Sequence, residues 1–290
     1  MSVPVAFNDI GKQAKDLLSK DYPFGSVKVE VKTTAPNGVT FKINGQRDNK
    51  SGIIVGDLET KYSDKVKGIA FTEAWTTSNH LNGKIELENN LAKGLKLELL
   101  TSLLPSVNEK GAKINATYKQ PNVHTVATLD VFKTFFSVNS VVGRDGFLAG
   151  GEVAYDVLNG KISRYNAAVG YSAAEYAVAV HATNNLGNFA ASYYHKVKSD
   201  IEVSGKASWD AKANGPVALE VGAKRTLDKT TFVKGKISNS GVVGVAYTQA
   251  LRPGVKVKAA EMFGCVGASI DTSRLNENAH KLGLSLTLEN

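Results

Sequence analysis

Side chains that commonly do chemistry are sparse in this chain. The five histidines, His80, His124, His181, His195 and His280, have no mutual spacing suited to a metal centre, so each reads as a wall or loop residue. Cys265 is the single cysteine among 290 residues, which excludes a disulfide framework and any zinc site built on paired cysteines. The sequence has no GxxxxGK[ST], no GxGxxG between a strand and a helix, no HExxH and no GxSxG. Gly146-Phe147-Leu148-Ala149-Gly150-Gly151 has the glycines of a phosphate loop, but no helical pattern follows it, so a tight turn with small-residue packing is the better reading. No catalytic residue, metal or cofactor is expected.

What remains is charge. Lys and Arg number 35 against 27 Asp and Glu, a formal net charge of +8. This favours anionic partners without separating nucleic acid, lipid headgroups and metabolites. The placement of the lysines must decide, and placement is set by the elements that carry them.

One segment has helical spacing. Phe7, Ile10, Ala14, Leu17 and Leu18 fall on one side at steps of three and four, with Lys12, Lys15, Asp16 and Lys20 on the other. Asp9, Asp16 and the absence of arginine argue against a cleaved presequence, so the segment is expected to stay attached. From Gly25 onward the period is 2: Val27, Val29 and Val31 alternate with Lys28, Glu30 and Lys32, and Val39, Phe41 and Ile43 with Thr40, Lys42 and Asn44. About nineteen such segments of about ten residues follow one another without a linker. Two units are expected, a helix and hinge over 1–24 and one closed β-sheet over 25–290.

No apolar run is long enough for a transmembrane helix, but a spanning barrel alternates lipid-facing with lumen-facing side chains and needs none. The competing architecture is a soluble β-sandwich with its apolar faces inward. Tyr62, Trp75, Tyr118, Tyr171 and Tyr247 near strand ends, as in an interfacial girdle, favour the barrel. Period 2 also puts Glu73 on the apolar face with Ile69, Phe71 and Trp75, a costly place for an ionised carboxylate. It reads either as a protonatable membrane-facing acid or as a local bulge.

These residues resemble the mitochondrial porins, the voltage-dependent anion channels, and most of all a fungal member. The resemblance is carried by the short helix with Gly11-Lys12, Leu58 to Tyr62, Phe71-Thr72-Glu73-Ala74-Trp75, Leu91 to Leu97, Gly146 to Gly150, Ala168 to Tyr171, Gly244 to Gln249 and His280-Lys281-Leu282-Gly283. It implies an all-β transmembrane barrel of about 19 strands in the mitochondrial outer membrane with the helix inside the pore. The implied function is a voltage-gated, weakly anion-selective channel that passes ATP, ADP, other metabolite anions and small ions.

The lysines that period 2 turns inward supply a physical reason for anion preference. Lys28, Lys32, Lys42, Lys84, Lys96, Lys113, Lys119, Lys206, Lys224, Lys234 and Lys236 outnumber Glu30, Glu86, Glu88, Glu98, Glu202 and Glu220. Lys15 and Asp16 join this pore-lining set from the helix. By resemblance, Lys12, Lys20, Val242, Val243, Gly244, Gly267, Ala268, Ser269, Ile270 and Asp271 are expected to contact nucleotides, NADH among them. Lys281 to Leu288 fits the pattern read by the barrel-insertion machinery, or is simply a last strand. The bilayer is the expected partner, self-association is left open, and no nucleic acid is expected as a specific ligand.

Two departures from the family pattern stand out. A hinge of Asp21-Tyr22-Pro23-Phe24-Gly25 replaces a glycine-rich one, which puts helix mobility in question. Lys258 to Val266 looks several residues too long, and is expected to extend a strand and its turn past the membrane edge or to disturb the barrel. The alternatives in function are a protein-import pore of the same fold and a soluble β-rich ligand-binding protein.

Overall fold

The computed structural model describes residues 3–64, 66–213, 215–251, 261–272 and 280–289. A 3₁₀ turn, Phe7–Asp9, leads into α1, Lys12–Ser19. The strands follow: β1 Ser26–Thr34, β2 Val39–Asp48, β3 Ile54–Asp64, β4 Ile69–Thr76, β5 Leu81–Glu88, β6 Leu95–Leu104, β7 Glu109–Gln120, β8 Val123–Asp130, β9 Phe135–Arg144 and β10 Phe147–Asp156. The rest are β11 Lys161–Ser172, β12 Tyr176–Thr183, β13 Asn188–Lys196, β14 Ile201–Asp210, β15 Ala218–Thr226, β16 Thr231–Ser238, β17 Val242–Leu251, β18 Glu261–Asp271 and β19 Lys281–Glu289. Each strand pairs antiparallel with the next, and β1 pairs with β19 to close one 19-stranded sheet. An up-and-down sheet with an odd number of strands can close only in parallel, as β1 and β19 do, Val27 opposite Leu284 and Lys32 opposite Glu289. The Lys32 ammonium and the Glu289 carboxylate form an ion pair across this seam.

Local sequence sets the turns. Asp145 at φ 52° and Gly146 at φ 87° join β9 to β10, Arg144 opposite Phe147, with positive φ at both central residues as a two-residue hairpin demands. The glycine run is therefore a hairpin and strand, as its lack of a following helical pattern predicted.

The apolar face points outward. Val29, Phe41, Leu58, Phe71, Ile85, Leu99 and Ile114 are all exposed on the outer surface, while Glu86, His124, Asp130 and Lys234 are buried on the inner side. A soluble sandwich would reverse this arrangement, because exposing so much contiguous apolar surface to water is unfavourable. Strands of 8 to 12 residues, tilted as barrel closure requires, span an apolar band about 25 Å tall.

Aromatic residues mark both borders of the band. Tyr62, Phe71, Tyr118, Phe147, Tyr171, Tyr176, Tyr193 and Tyr247 ring the rim at which odd-numbered strands end, and Trp75, Phe136, Tyr155, Tyr165, Phe189 and Trp209 ring the other. Their amphipathic rings suit the headgroup layer. The rings touch: Phe147 lies 4.6 Å from Tyr171, and Phe189 6.0 Å from Trp209, centroid to centroid.

The N-terminal segment lies inside the barrel and is not one continuous helix. The regular spacing from Phe7 to Leu18 predicts an unbroken run, but Gly11 takes φ 71° and separates the 3₁₀ turn from α1. Crowding against the wall explains the break, since a Cβ on Gly11 would sit 2.9 Å from Ala179 Cβ and 3.1 Å from Ser192 Oγ. The apolar stripe meets the wall as its spacing predicts. Phe7 and Ile10 pack with Val141, Ala168 and Ala179, and Leu17 and Leu18 lie over Gly222, each such burial contributing about 1.5–3 kcal/mol.

The stretch expected to overrun the membrane edge divides in two. Residues 258–260 lie outside the described residues. From Glu261 the chain is regular strand, with Met262 opposite Leu251 on β17 and Leu288 on β19, and Cys265 opposite Thr248 and Ser285. Val266 stands opposite Tyr247 of the girdle, so Glu261 to Cys265 continue β18 beyond that level as paired strand, in line with the expected extension past the membrane edge.

Candidate functional site

The site is the lumen and the helix that occupies it. Lys12, Gln13, Lys15 and Lys20 are exposed on the free side of α1, opposite the buried Ala14, Leu17 and Leu18. Lys12 pairs with Asp9 at 3.2 Å. His124 Nδ1 lies 3.0 Å from the Pro4 carbonyl and ties the start of the segment to β8.

Strand register turns every strand lysine of the pore-lining set to the inner side, yet their environments differ. Lys96 and Lys84 share Glu86 and Glu98 at 2.6 to 3.1 Å, a compact four-charge ladder on β5 and β6. Lys113 pairs with Asp130 at 3.6 Å, Lys224 with Glu202 at 3.1 Å and Lys236 with Glu220 at 2.8 Å. Lys234 is a correction: it points inward but is only 4% exposed, roofed by α1, so it does not line the open passage. Lys15, Lys20, Lys28 and Lys206 are exposed and form no ion pair among the described residues, nor do Lys119 and Asp16. Asp48, Asp57, Asp130, Asp156 and Asp210 also face inward. Reading the glutamates alone therefore overstates the excess of lysine along the wall, and the unpaired positive charge concentrates around the helix.

The residues expected to contact nucleotides are brought together only in part. Val242, Val243 and Gly244 pair with Asp271, Ile270 and Ser269 across β17 and β18. Val243, Ala268 and Ile270 point away from the lumen, the last exposed on the lipid side, because period 2 sends alternate residues of a contiguous run to opposite faces. Gly244 and Gly267 face inward, but the hinge covers them: a Cβ on Gly244 would meet the Phe24 ring at 2.7 Å, and one on Gly267 would meet Pro23 at 2.9 Å. These glycines make room for the chain's own hinge. Lys20 and Lys28 border the same hinge, sharing a cavity with Asp21, Tyr22 and Cys265, whereas Lys12 stands at the other end of α1 near Ala179.

Glu73 lies on the outer face in an undistorted register, opposite Thr60 on β3 and Gly83 on β5. No bulge turns it inward. Its neighbours Phe71 and Trp75 belong to opposite girdles, which puts the carboxylate near mid-membrane.

A closed barrel, apolar and aromatic-girdled outside, polar and charged inside, defines a membrane-spanning pore. The sequence profile of the eukaryotic porins matches residues 3–283, and the chain belongs to that family. It is 45% identical to the mitochondrial outer membrane protein porin of Neurospora crassa over 291 residues, covering all of both chains. It is 42% identical to the protein of the same name from Candida albicans, with 98% of each chain covered. A Xenopus laevis protein named non-selective voltage-gated ion channel VDAC2 is 37% identical over 99% of this chain and all of its own. The chain is a channel-forming β-barrel of the mitochondrial outer membrane.

Proposed function

We propose that this barrel is a voltage-gated, weakly anion-selective conduit through which ATP, ADP, other metabolite anions and small ions diffuse. The observation that carries the reading is the group of exposed, unpaired lysines at the pore helix, Lys15, Lys20, Lys28 and Lys206. Ions passing within a Debye length of about 8–10 Å feel that charge, which lowers the entry barrier for anions without binding them tightly. Nucleotide phosphates would meet Lys20 and Lys28, near the hinge, in place of the backbone of β17 and β18. The protein acts by diffusion and not by catalysis. Folding would draw on the barrel-insertion machinery through β19, whose Lys281-x-Gly283 start pairs with β18 while Leu284 onward closes against β1.

Single-channel recording in a planar bilayer tests this. The expected record is a large, stable conductance at low voltage that steps to lower levels as voltage rises. A protein that stays in buffer without detergent, or forms no conductance, would overturn the reading.

A further inference from the structure

The two lysines of β16 that meet the helix do something other than face the passing ions. Lys234 donates to the Asp16 carbonyl at 3.3 Å, to the Lys20 carbonyl at 3.2 Å and to Asp21 Oδ2 at 2.9 Å, so all three ammonium protons are used. Lys236 donates to the Leu18 carbonyl at 2.7 Å and pairs with Glu220 at 2.8 Å. The Asp16 carbonyl also accepts the Lys20 N–H, but the Leu18 carbonyl lies past the last bond within the helix, and this end carries the negative pole of the helix dipole. Here the wall supplies the cations.

The rest of the joint is equally filled. The Lys236 ammonium stands 4.8 Å from the Tyr22 ring centre and Lys234 5.7 Å from that of Phe232. The Cys265 thiol donates to the Asp21 carbonyl at 3.2 Å. Pro23 and Phe24 occupy the space above Gly244 and Gly267. The amino end of the segment is held differently: apolar packing of Phe7 and Ile10, the contact of Pro4 with His124 and the His181 ring bonded to the Ile10 backbone hold it, with no lysine donating to its carbonyls among the described residues.

We infer that Lys234, seconded by Lys236, is the positioning residue that pins the carboxyl end of α1 to the barrel wall, so that any voltage-driven movement of the N-terminal segment pivots about that end instead of hinging at Asp21 to Gly25. The inference rests on the channel reading, but its test does not need a conductance.

Spin labels are attached in liposome-reconstituted barrels at Ser19→Cys or Lys12→Cys, both exposed helix positions, in a Cys265→Ser background that keeps a donor for Asp21. In the parent the label at 19 is expected to be immobile. Lys234→Met should at least double its mobile fraction and change the label at 12 less, while Lys234→Arg restores the immobile spectrum. The barrel's unfolding temperature should move by no more than about 2 °C. An unchanged spectrum at 19 in Lys234→Met would overturn the inference, as would a drop in barrel stability with the helix still immobile. If Lys234→Met does not fold, Lys236→Met frees the Leu18 carbonyl and is read in the same way. No mobilisation there contradicts the clamp.

Discussion

Glu73 shows what one residue can reveal. Its place on the outer face was legible in the sequence because three apolar neighbours of the same parity, Ile69, Phe71 and Trp75, fix the register. An ionised carboxylate at mid-membrane costs about 2.5–3.5 kcal/mol on insertion scales, and no ion pair offsets it among the described residues. Glu73→Gln keeps the shape and removes the charge, so the unfolding temperature of the barrel in detergent should stay equal or rise. Differential scanning fluorimetry measures this, and a fall of several degrees would mean that the carboxylate makes a favourable contact. The lysines were only half legible. Period 2 gave their direction, but which ones are paired depends on neighbours across strands, such as Lys96 with Glu86, ten residues away, and Lys32 with Glu289 across the seam. Lys234 was the least legible, because the helix that covers it is 218 residues distant at Asp16.

Among elements, α1 and its hinge decide how the pore is furnished. The apolar stripe marked the side that meets the wall, yet the break at Gly11 could not be read from spacing, since it answers to Ala179 and Ser192 on strands far along the chain. Gly11→Val should be doubly unfavourable, with a β-branched residue at φ 71° and a side chain driven into β12. A loss of about 2–3 kcal/mol of helix docking is expected. Limited proteolysis should then cut the N-terminal segment faster while the barrel persists, and an unchanged cleavage rate would contradict the packing described. The hinge was legible as a departure from a glycine-rich pattern. Its consequence was not, because Pro23 and Phe24 act by filling space over Gly244 and Gly267. Burial, and beyond it the Glu220 and Asp21 carboxylates, raises the Tyr22 phenol above its ordinary pKa and keeps it neutral beside the two lysines. β18 was legible in part: counting residues against a family pattern suggested a strand running past the membrane edge, and pairing on both sides carries Glu261 to Cys265 beyond the level of Tyr247 as regular strand.

For the whole molecule, the fold follows from alternation, an odd strand count and the inside-out distribution of polarity. Alternation was legible because it repeats along the chain, whereas the odd strand count came with the resemblance, and the outward apolar face rested on the aromatic residues near strand ends, since alternation alone also fits a sandwich. The field inside the lumen was not legible, since it is a small difference between many opposed charges. That field is the central claim, and the reversal potential of the open channel under a tenfold potassium chloride gradient tests it most directly. A reversal potential of the sign for chloride preference is expected, and Lys20→Glu combined with Lys28→Glu should move it toward or past zero. Cation preference in the unmodified channel, or a double variant that leaves the potential where it was, would contradict the account.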